Sequence, residues 1–302
     1  MELRKTEWLR KDKMWHKLKK LEPKPISEWL SGLKTGRMQS AGYMQVIPLL
    51  GPDCQKAFGY TNDIDISIPD YGHMTFHNEL DVPVLVPAHT TVMVNGPNQD
   101  HAMTHAALIP PKSERNFQSA ACIQAHQTGL LARGNYQTGL LPYSLREHAL
   151  ATRYLASLDK LWKRHGMFNQ RFGLRKIGRL RYFLNHFRHE MDEFVAEFEP
   201  VPGQRGAIVL VEGRVAGVEC GPTRAWWLKY WEPMIRGCYA GLAVEYRNFM
   251  GRRPSAPSNK IPLDMKVRNL KELRSEIELI DRLEALQVGH AMADLNSDQL
   301  TT

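Results

Sequence analysis

The sequence predicts an α+β protein with an antiparallel sheet core, sandwich-like or barrel-like. Three observations predict this class. Short stretches of alternating apolar and polar residues fill 43–142, a helical periodicity replaces them in 144–198, and an apolar hairpin leads into a long helix in 206–247. Strands and helices that occupy separate parts of a chain are typical of α+β folds.

The β-rich region contains seven predicted strands separated by turn-forming residues. The clearest one alternates Ile64, Ile66 and Ile68 with two polar residues. The predicted strands are residues 43–50, 64–68, 74–78, 82–86, 90–94, 106–109 and 117–124. Short strands at this spacing favour a sandwich or a barrel-like sheet.

Two helices are predicted in residues 144–198, the helical insertion. Ser144 and Glu147 match a capping box at the start of the first, which Gly166 and Gly173 are expected to break. The second covers about 179–198. Its polar face carries basic residues that we expect to be solvated, namely Arg181, His186, Arg188 and His189.

The segment 206–220 predicts a β-hairpin that turns at Glu212 and Gly213. An aromatic-rich helix over 222–246 follows, and Pro233 is expected to kink it. The hairpin and this helix complete a core domain predicted for residues 41–250.

A basic amphipathic arm is predicted for residues 1–40. Residues 1–38 hold eleven Lys/Arg against five acids, and Trp8 and Trp15 lie near one helical face. One interpretation is an arm that binds nucleic acid or an acidic partner. The favoured one is an arm that docks on this or a neighbouring subunit, because tryptophans on a helix face usually pack against protein.

Residues 251–302 predict a linker and a C-terminal amphipathic helix. Apolar residues recur there at intervals of three and four, among them Leu273, Ile277 and Ile280. We therefore expect helical extensions at both termini, where other subunits or a second copy of the chain can bind.

The sequence favours a soluble protein of a reducing compartment. No apolar run approaches the roughly 18 residues of a membrane span, and the basic N-terminus has no apolar segment typical of a secretory signal. Four cysteines are scattered singly. We expect a cytoplasmic protein without membrane contact, or a virion protein if its source is a phage.

Two further stretches carry a resemblance. Residues 76–124 contain the strand DVPVLVP and the loop NGPNQDH, and residues 201–245 contain the hairpin GAIVLVEGRVAGVEC. In this order they resemble the ARG-and-rhodanese-phosphatase-associated domain family. The resemblance implies a compact α+β domain linked to NAD or ADP-ribose metabolism, with no firmly assigned reaction and no firmly implied cofactor.

The resemblance also singles out the loop as a site for an ADP-ribose-type or NAD-type ligand. Asn98 stands where the family has Lys, His101 where it has Arg, and Gln124 where it has Glu, whereas Cys122 is retained. The ligand-binding residues predicted in this way are Asn95, Gly96, Gln99, Asp100 and His101.

Asp100, His101 and Cys122 are the candidate catalytic residues. A carboxylate can orient an imidazole for acid–base work, and a thiol becomes a nucleophile when its pKa is lowered. Asp100 and His101 would face opposite ways in a strand, so only a turn would let them cooperate. The alternative for Cys122 is a buried, inert thiol, which its apolar neighbours favour.

Six of the twelve histidines lie between residues 73 and 126. His73 and His77 would share one face of a strand, and with His101 they are the candidate metal ligands. No tight ligand signature accompanies them. A metal is therefore not favoured, and the alternative is a set of polar histidines on a half-solvated sheet.

These observations favour a non-catalytic binding or assembly protein, such as a structural component of a phage or virion. The altered loop residues and the two amphipathic ends favour this interpretation. The alternative is a nucleotide- or ADP-ribose-binding protein, or an enzyme of NAD-linked metabolism, that uses residues 95–105.

Overall fold

A computed structural model describes residues 32–53, 55–95, 99–104, 106–118, 120–124, 135–152 and 159–250. The predicted terminal extensions lie outside these residues, and so do their interaction residues Trp8, Trp15, Leu273, Ile277 and Ile280. Gly96 lies outside them as well. The bounds of the three predicted segments stay a prediction.

The α+β class is confirmed. The strands are β1 (Lys34–Thr35), β2 (Gln39–Ala41), β3 (Met44–Leu50), β4 (Gly59–Tyr60), β5 (Asp65–Ser67), β6 (Met74–Asn78), β7 (Val84–Val86), β8 (Thr90–Val94), β9 (His101–Ala102), β10 (Ala107–Ile109), β11 (Ser113–Phe117), β12 (Ala121–Cys122), β13 (Tyr136–Leu140), β14 (Gln204–Val211) and β15 (Arg214–Cys220). The helices are α1 (Tyr143–Thr152), α2 (Asp159–Arg171), α3 (Leu180–His186), α4 (Arg188–Ala196), α5 (Arg224–Pro233), a π-helix (Met234–Ala240) and α6 (Gly241–Met250), with a 3-10 turn at Thr61–Asp63.

The described strands form four sheets and do not close into a barrel. The largest has the order β1-β3-β14-β15, with β2 also paired to β3. The others are β10-β7-β4, β11-β6-β5 and β12-β9-β8-β13. Pairing is antiparallel except between β4 and β7, which run parallel.

Strand prediction succeeds where the apolar alternation is strong. The strands β6 and β8 have the predicted bounds, whereas the predicted strand 117–124 is wrong. It divides into the end of β11, a bend and the two-residue strand β12. The interior of β11 is exposed and polar, so an apolar pattern could not show it.

The helical insertion differs from its prediction at three places. Ser144 lies inside α1 and donates its hydroxyl to Glu245 Oε1 at 2.7 Å, so it does not cap the helix. Gly166 lies inside α2, and only Gly173, with φ of 68°, follows its end. The predicted helix 179–198 is broken at Phe187, whose φ and ψ of −101° and 20° separate α3 from α4.

The hairpin prediction is confirmed. Glu212 and Gly213 have φ of 53° and 73°, the left-handed pair that a tight two-residue turn requires. The helix after it is continuous from Arg224 to Met250, and Pro233 precedes its π-helical part. Thr223 caps the start, because its side chain accepts from Trp226 N at 3.1 Å.

The core lies where this long helix packs on the largest sheet. Trp226, Trp227, Tyr230 and Trp231 are buried there against β3 and β14. A second cluster contains Phe168, Phe183 and Phe187 beside the sheet that contains β8. No helix among the described residues is long and apolar enough to cross a membrane.

Candidate functional site

The strands β8, β9 and β12 bring the predicted loop residues together. His101 pairs with Val92 on one side and with Cys122 on the other. Gln99 Nε2 donates to Gln124 O at 3.0 Å, so residues 99–101 lie alongside residues 122–124. Segments more than twenty residues apart thus lie side by side.

Asp100 is the centre of a buried ion pair. Its side chain is fully buried, and Val94 N donates to Oδ1 at 2.9 Å. Arg179 donates to the same oxygen through Nη2 and approaches Oδ2 with Nε at 3.3 Å. Burial raises the pKa of Asp100, and Arg179 opposes that shift. Both carboxylate oxygens therefore have partners inside the protein.

Gln124 closes the other side of this carboxylate. With its amide oriented so that both atoms are satisfied, its nitrogen donates to Asp100 Oδ2 at 3.3 Å. Its oxygen accepts from Asp100 N at 3.2 Å. The residue that stands where the family has Glu is thus neutral here and completes the surroundings of an acidic neighbour.

Arg181 is also drawn into the site, so the prediction that it is solvated is wrong. Its guanidinium donates to Val94 O and, at 3.1 Å, to Asn95 Oδ1. Arg179 has extended backbone before α3, with φ and ψ of −77° and 154°. This change of backbone direction lets both arginines reach the end of β8. His186, Arg188 and His189 are exposed as predicted.

His101 is buried and neutral. Gly72 N donates to Nε2 at 3.2 Å, so Nε2 is the acceptor and Nδ1 carries the proton that it donates to Gln99 O at 3.2 Å. Burial lowers the pKa of His101 to about 4, the bond to Gln99 raises it, and nearby His73 lowers it further. The imidazole is therefore uncharged at neutral pH.

The sulfur atom of Cys122 lies 3.6 Å from His101 Nε2. The thiol is buried, and burial raises its pKa to about 11, although contacts with Gly72 and Trp162 lower it. A neutral imidazole beside a protonated thiol supplies no thiolate, the form that acts as a nucleophile.

The side chains of Asp100 and His101 have different hydrogen-bond partners. The carboxylate binds Arg179 and Val94, whereas the imidazole binds Gly72 and Gln99. The adjacent residues therefore point apart, as they do in a strand.

The candidate metal ligands are distributed over two sheets. His77 Nε2 lies 2.9 Å from Ser67 Oγ, and its Nδ1 lies 2.9 Å from Glu114 Oε2. His73 precedes β6 and is close enough to His101 to affect its pKa. Within the part of the chain that the structure describes, no three His, Cys, Asp or Glu side chains are arranged to hold a metal ion.

Several buried polar atoms around the site lack a hydrogen-bond partner among the described residues, and two of them are acceptors next to residues 122–124. They are Gln99 Oε1 and His165 Nε2, and both side chains are about 1% exposed. His165 is hydrogen-bonded to the backbone of Ile123, which places it next to the 122–124 segment. Unpaired buried polar atoms are costly, so a donor at either atom would be stabilised.

A second buried polar cluster lies under the long helix. Arg146 Nη1 donates to Glu219 Oε1 at 2.8 Å, and the hydroxyls of Tyr230 and Tyr239 each donate to this carboxylate at 2.8 Å. Burial raises the pKa of both tyrosines, so they stay protonated and keep donating. Fully paired in this way, the cluster ties α1 and β15 to the helix.

An open groove of about 1150 Å³ runs between β13, α4 and α5. Its charged side chains are paired across the walls: Lys229 Nζ lies 2.6 Å from Asp63 Oδ1, and Arg236 binds Asp192. The cations of the groove are therefore neutralised within the chain.

Comparison with known protein families matches residues 32–294 to the ARG and Rhodanese-Phosphatase-superfamily-associated Protein domain, ARPP-1. The chain belongs to the ARPP-1 family. The predicted resemblance is thereby confirmed, and the matched residues contain both of its stretches. No curated protein matches the chain, and no solved structure does.

The ARPP-1 match also includes the predicted C-terminal helix, since it extends to residue 294. The residues for which that helix is predicted therefore lie within the matched region. Residues 1–31, which hold most of the basic arm, precede the match.

Sequence reasoning missed Arg179 and the cluster around Glu219. Arg179 pairs with a residue 79 positions away, and no local pattern announces such a pair. Glu219 did leave a signal, because it is an acid inside the otherwise apolar strand VAGVEC. A buried acid needs a cation or donors, which Arg146 and two tyrosines supply.

Proposed function

We propose that this ARPP-1 protein acts by binding rather than by catalysis, and that it assembles with other protein subunits. The observation that carries the proposal is the state of the three candidate catalytic residues. Asp100 is paired on both oxygens, His101 is neutral, and Cys122 is a protonated, buried thiol. Their polar groups hold the loop in place and offer little to a substrate.

The surfaces support a polypeptide partner. The groove beside β13 is large enough for a segment of chain, and its cations already have acidic partners, which disfavours an anionic ligand there. The apolar stripe of the predicted C-terminal helix would supply a second contact for a neighbouring subunit. A structural component of a phage or virion has these properties.

Thiol labelling of the native protein tests the absence of a nucleophile. Iodoacetamide at neutral pH is expected to leave Cys122 unmodified in peptide mass spectra, and to modify it after unfolding in urea. Fast labelling of Cys122 in the native protein, slowed in a His101→Gln variant, would show an activated thiol and contradict the proposal.

Light scattering of the full chain tests assembly. We expect a mass above that of the monomer, and a return to the monomer when Leu273, Ile277 and Ile280 are replaced by Asp. Ser275→Asp, on the polar side of the same predicted helix, is the matched control. A wild-type protein that stays monomeric at all concentrations would contradict assembly through this helix.

A second candidate function is binding of an ADP-ribose-type or NAD-type ligand at residues 95–101. The unpaired Gln99 Oε1 and His165 Nε2 favour it, because a ligand hydroxyl or amine could donate to them. Calorimetry with ADP-ribose and NAD tests this directly. Heat that is lost in Gln99→Leu would support the second function, and no heat with either compound would count against it.

A further inference from the structure

A continuous basic surface covers α2, the turn after it and α3. Residues 160–189 contain nine Lys/Arg and no Asp or Glu. Residues 39–302 are close to neutral as a whole, so acids elsewhere in the chain balance the positive charge of this segment. Local charge of this kind, and not the net charge, determines where a polyanion binds.

Contacts between the elements make this surface continuous. The backbone and side chain of Lys176 cross α2 at Gly166, where a Cβ would lie 3.0 Å from Lys176 Cγ and 3.2 Å from its carbonyl oxygen. Asn169 Nδ2 donates to Gly178 O at 2.9 Å. Tyr182 packs on Gly178, since a Cβ there would lie 3.2 Å from Tyr182 Cδ2. The turn is thus fastened to both helices.

Apolar side chains are interleaved with the cations. Met167, Ile177 and Tyr182 are 53%, 56% and 50% exposed, which makes them three of the five exposed large hydrophobic residues in the described part of the chain. Arg175 and Lys176 are exposed immediately beside Ile177. The surface therefore combines cations with large flat or apolar contacts.

Asp192 on α4 lies 3.7 Å from Arg188 at the edge of this surface. Two further acids near its arginines are buried. Glu245 is buried, accepts from Ser144 at 2.7 Å, and is near Arg164 and Arg171. Asp100 is buried beneath Arg179. Both acids lie below the exposed cations, so Arg175 and Lys176 face solvent without an acidic neighbour on the same turn.

We propose that this surface binds single-stranded nucleic acid. Arg179, Arg181 and Arg188 of this segment have partners within the chain, whereas Arg175 and Lys176 are exposed. Arginine binds phosphate oxygens in a forked geometry and stacks on bases. Tyr182 offers an exposed ring to an unstacked base, and Ile177 and Met167 add exposed apolar side chains to the same segment of the chain. A duplex hides the faces of its bases, and an acidic protein would need only the cations, so the exposed ring favours a single strand. This inference goes beyond the proposed assembly and does not depend on it.

Fluorescence anisotropy with the full chain tests the inference. The probes are a labelled oligothymidine of about 20 nucleotides and a duplex of the same length. Arg175→Glu/Lys176→Glu is expected to weaken binding of the single strand at least about tenfold. Because two phosphate contacts would be lost, the slope of the logarithm of the binding constant against the logarithm of the salt concentration should become less steep by about 1.4. Tyr182→Ala is expected to weaken binding of the single strand about tenfold through lost stacking.

Lys56→Glu/Lys112→Glu is the matched control, because it changes the charge by the same amount at exposed residues outside both this surface and the predicted arm. It should change the affinity less than about twofold. An equal loss in the control, or no loss in Arg175→Glu/Lys176→Glu, would assign binding to net charge or to the arm and overturn the inference. Tight binding of polyglutamate that is insensitive to Tyr182→Ala would overturn it in favour of an acidic protein, and no binding of the oligothymidine at about 50 mM salt would overturn it outright.

Discussion

The carboxylate of Asp100 and the guanidinium of Arg179 form a buried ion pair that ties the end of β8 to the start of α3. The two residues are 79 positions apart. The helical insertion thus supplies the cation that the buried carboxylate of Asp100 needs.

Loss of Arg179 is expected to destabilise the fold strongly. Arg179→Met would leave a buried carboxylate without its cation, which costs about 3–5 kcal/mol. Urea unfolding at neutral pH measures this loss. Arg175→Met is the control, because Arg175 is exposed and its removal should change the free energy of unfolding by less than about 0.5 kcal/mol. Equal stability of the two variants would show that the pair contributes nothing.

The buried histidines are expected to make the protein sensitive to acid. Burial lowers the pKa of His165 to about 4, whereas an unfolded histidine titrates near 6.5. The unfolded state therefore binds more protons between these values, and stability is lost as pH falls through this window. For this histidine, the loss between pH 7 and pH 5 is about 2 kcal/mol.

Comparison with His165→Gln isolates this effect. Asp100 and Glu245 have raised pKa values and act in the opposite direction, but they are present in both proteins. The wild type should lose about 2 kcal/mol more than the variant between pH 7 and pH 5 in urea unfolding. Parallel pH profiles would mean that His165 is protonated in the folded state.

A methyl group at Gly217 is expected to disrupt the cluster around Glu219. An added Cβ would lie 2.1 Å from the hydroxyl oxygen of Tyr239, which donates to Glu219. Gly217→Ala should therefore cost about 3 kcal/mol, from overpacking and the disturbed bond to a charged group. Thermal or urea unfolding measures it.

The double variant Gly217→Ala/Tyr239→Phe tests the cause. Tyr239→Phe alone loses the hydrogen bond, at about 1.5–3 kcal/mol. It also removes the atom that the new methyl group would meet, so the two substitutions together should cost less than the sum of their separate costs. Simple additivity would show that the clash is not with the hydroxyl.

Replacement of the buried Asn78 by Asp is expected to destabilise the fold. The amide nitrogen of Asn78 lies 3.0 Å, 3.1 Å and 2.8 Å from the carbonyl oxygens of Val82, Ile109 and Pro110, and its oxygen accepts from Leu80 N at 3.0 Å. Asn78→Asp keeps the shape but directs a buried charge at three acceptors, which should cost about 3 kcal/mol or more.

Asn116→Asp is the matched control, because Asn116 is exposed on β11. It should change the free energy of unfolding by less than about 0.5 kcal/mol. A similar small change in Asn78→Asp would show that the side chain can turn away from the three carbonyls.

The sequence by itself determined the elements whose signal is local. The hairpin of β14 and β15 was predictable because two apolar strands flank the Glu-Gly turn. The strands β6 and β8 were predictable because short runs with β-branched or aromatic residues lie between turn-forming residues. The family was predictable because the two stretches that carry the resemblance both lie within the matched residues 32–294.

Only the tertiary structure decided the site. The two-residue strands β4, β9 and β12 exist through pairing with distant segments, and no pattern of two residues can announce them. Arg181 was predicted on a solvated helix face, but the extended backbone of Arg179 before α3 brings both arginines to Val94. Side-chain partners far apart in sequence are chosen by the packing of whole elements, and the chemical state of Asp100, His101 and Cys122 follows from burial that only packing creates.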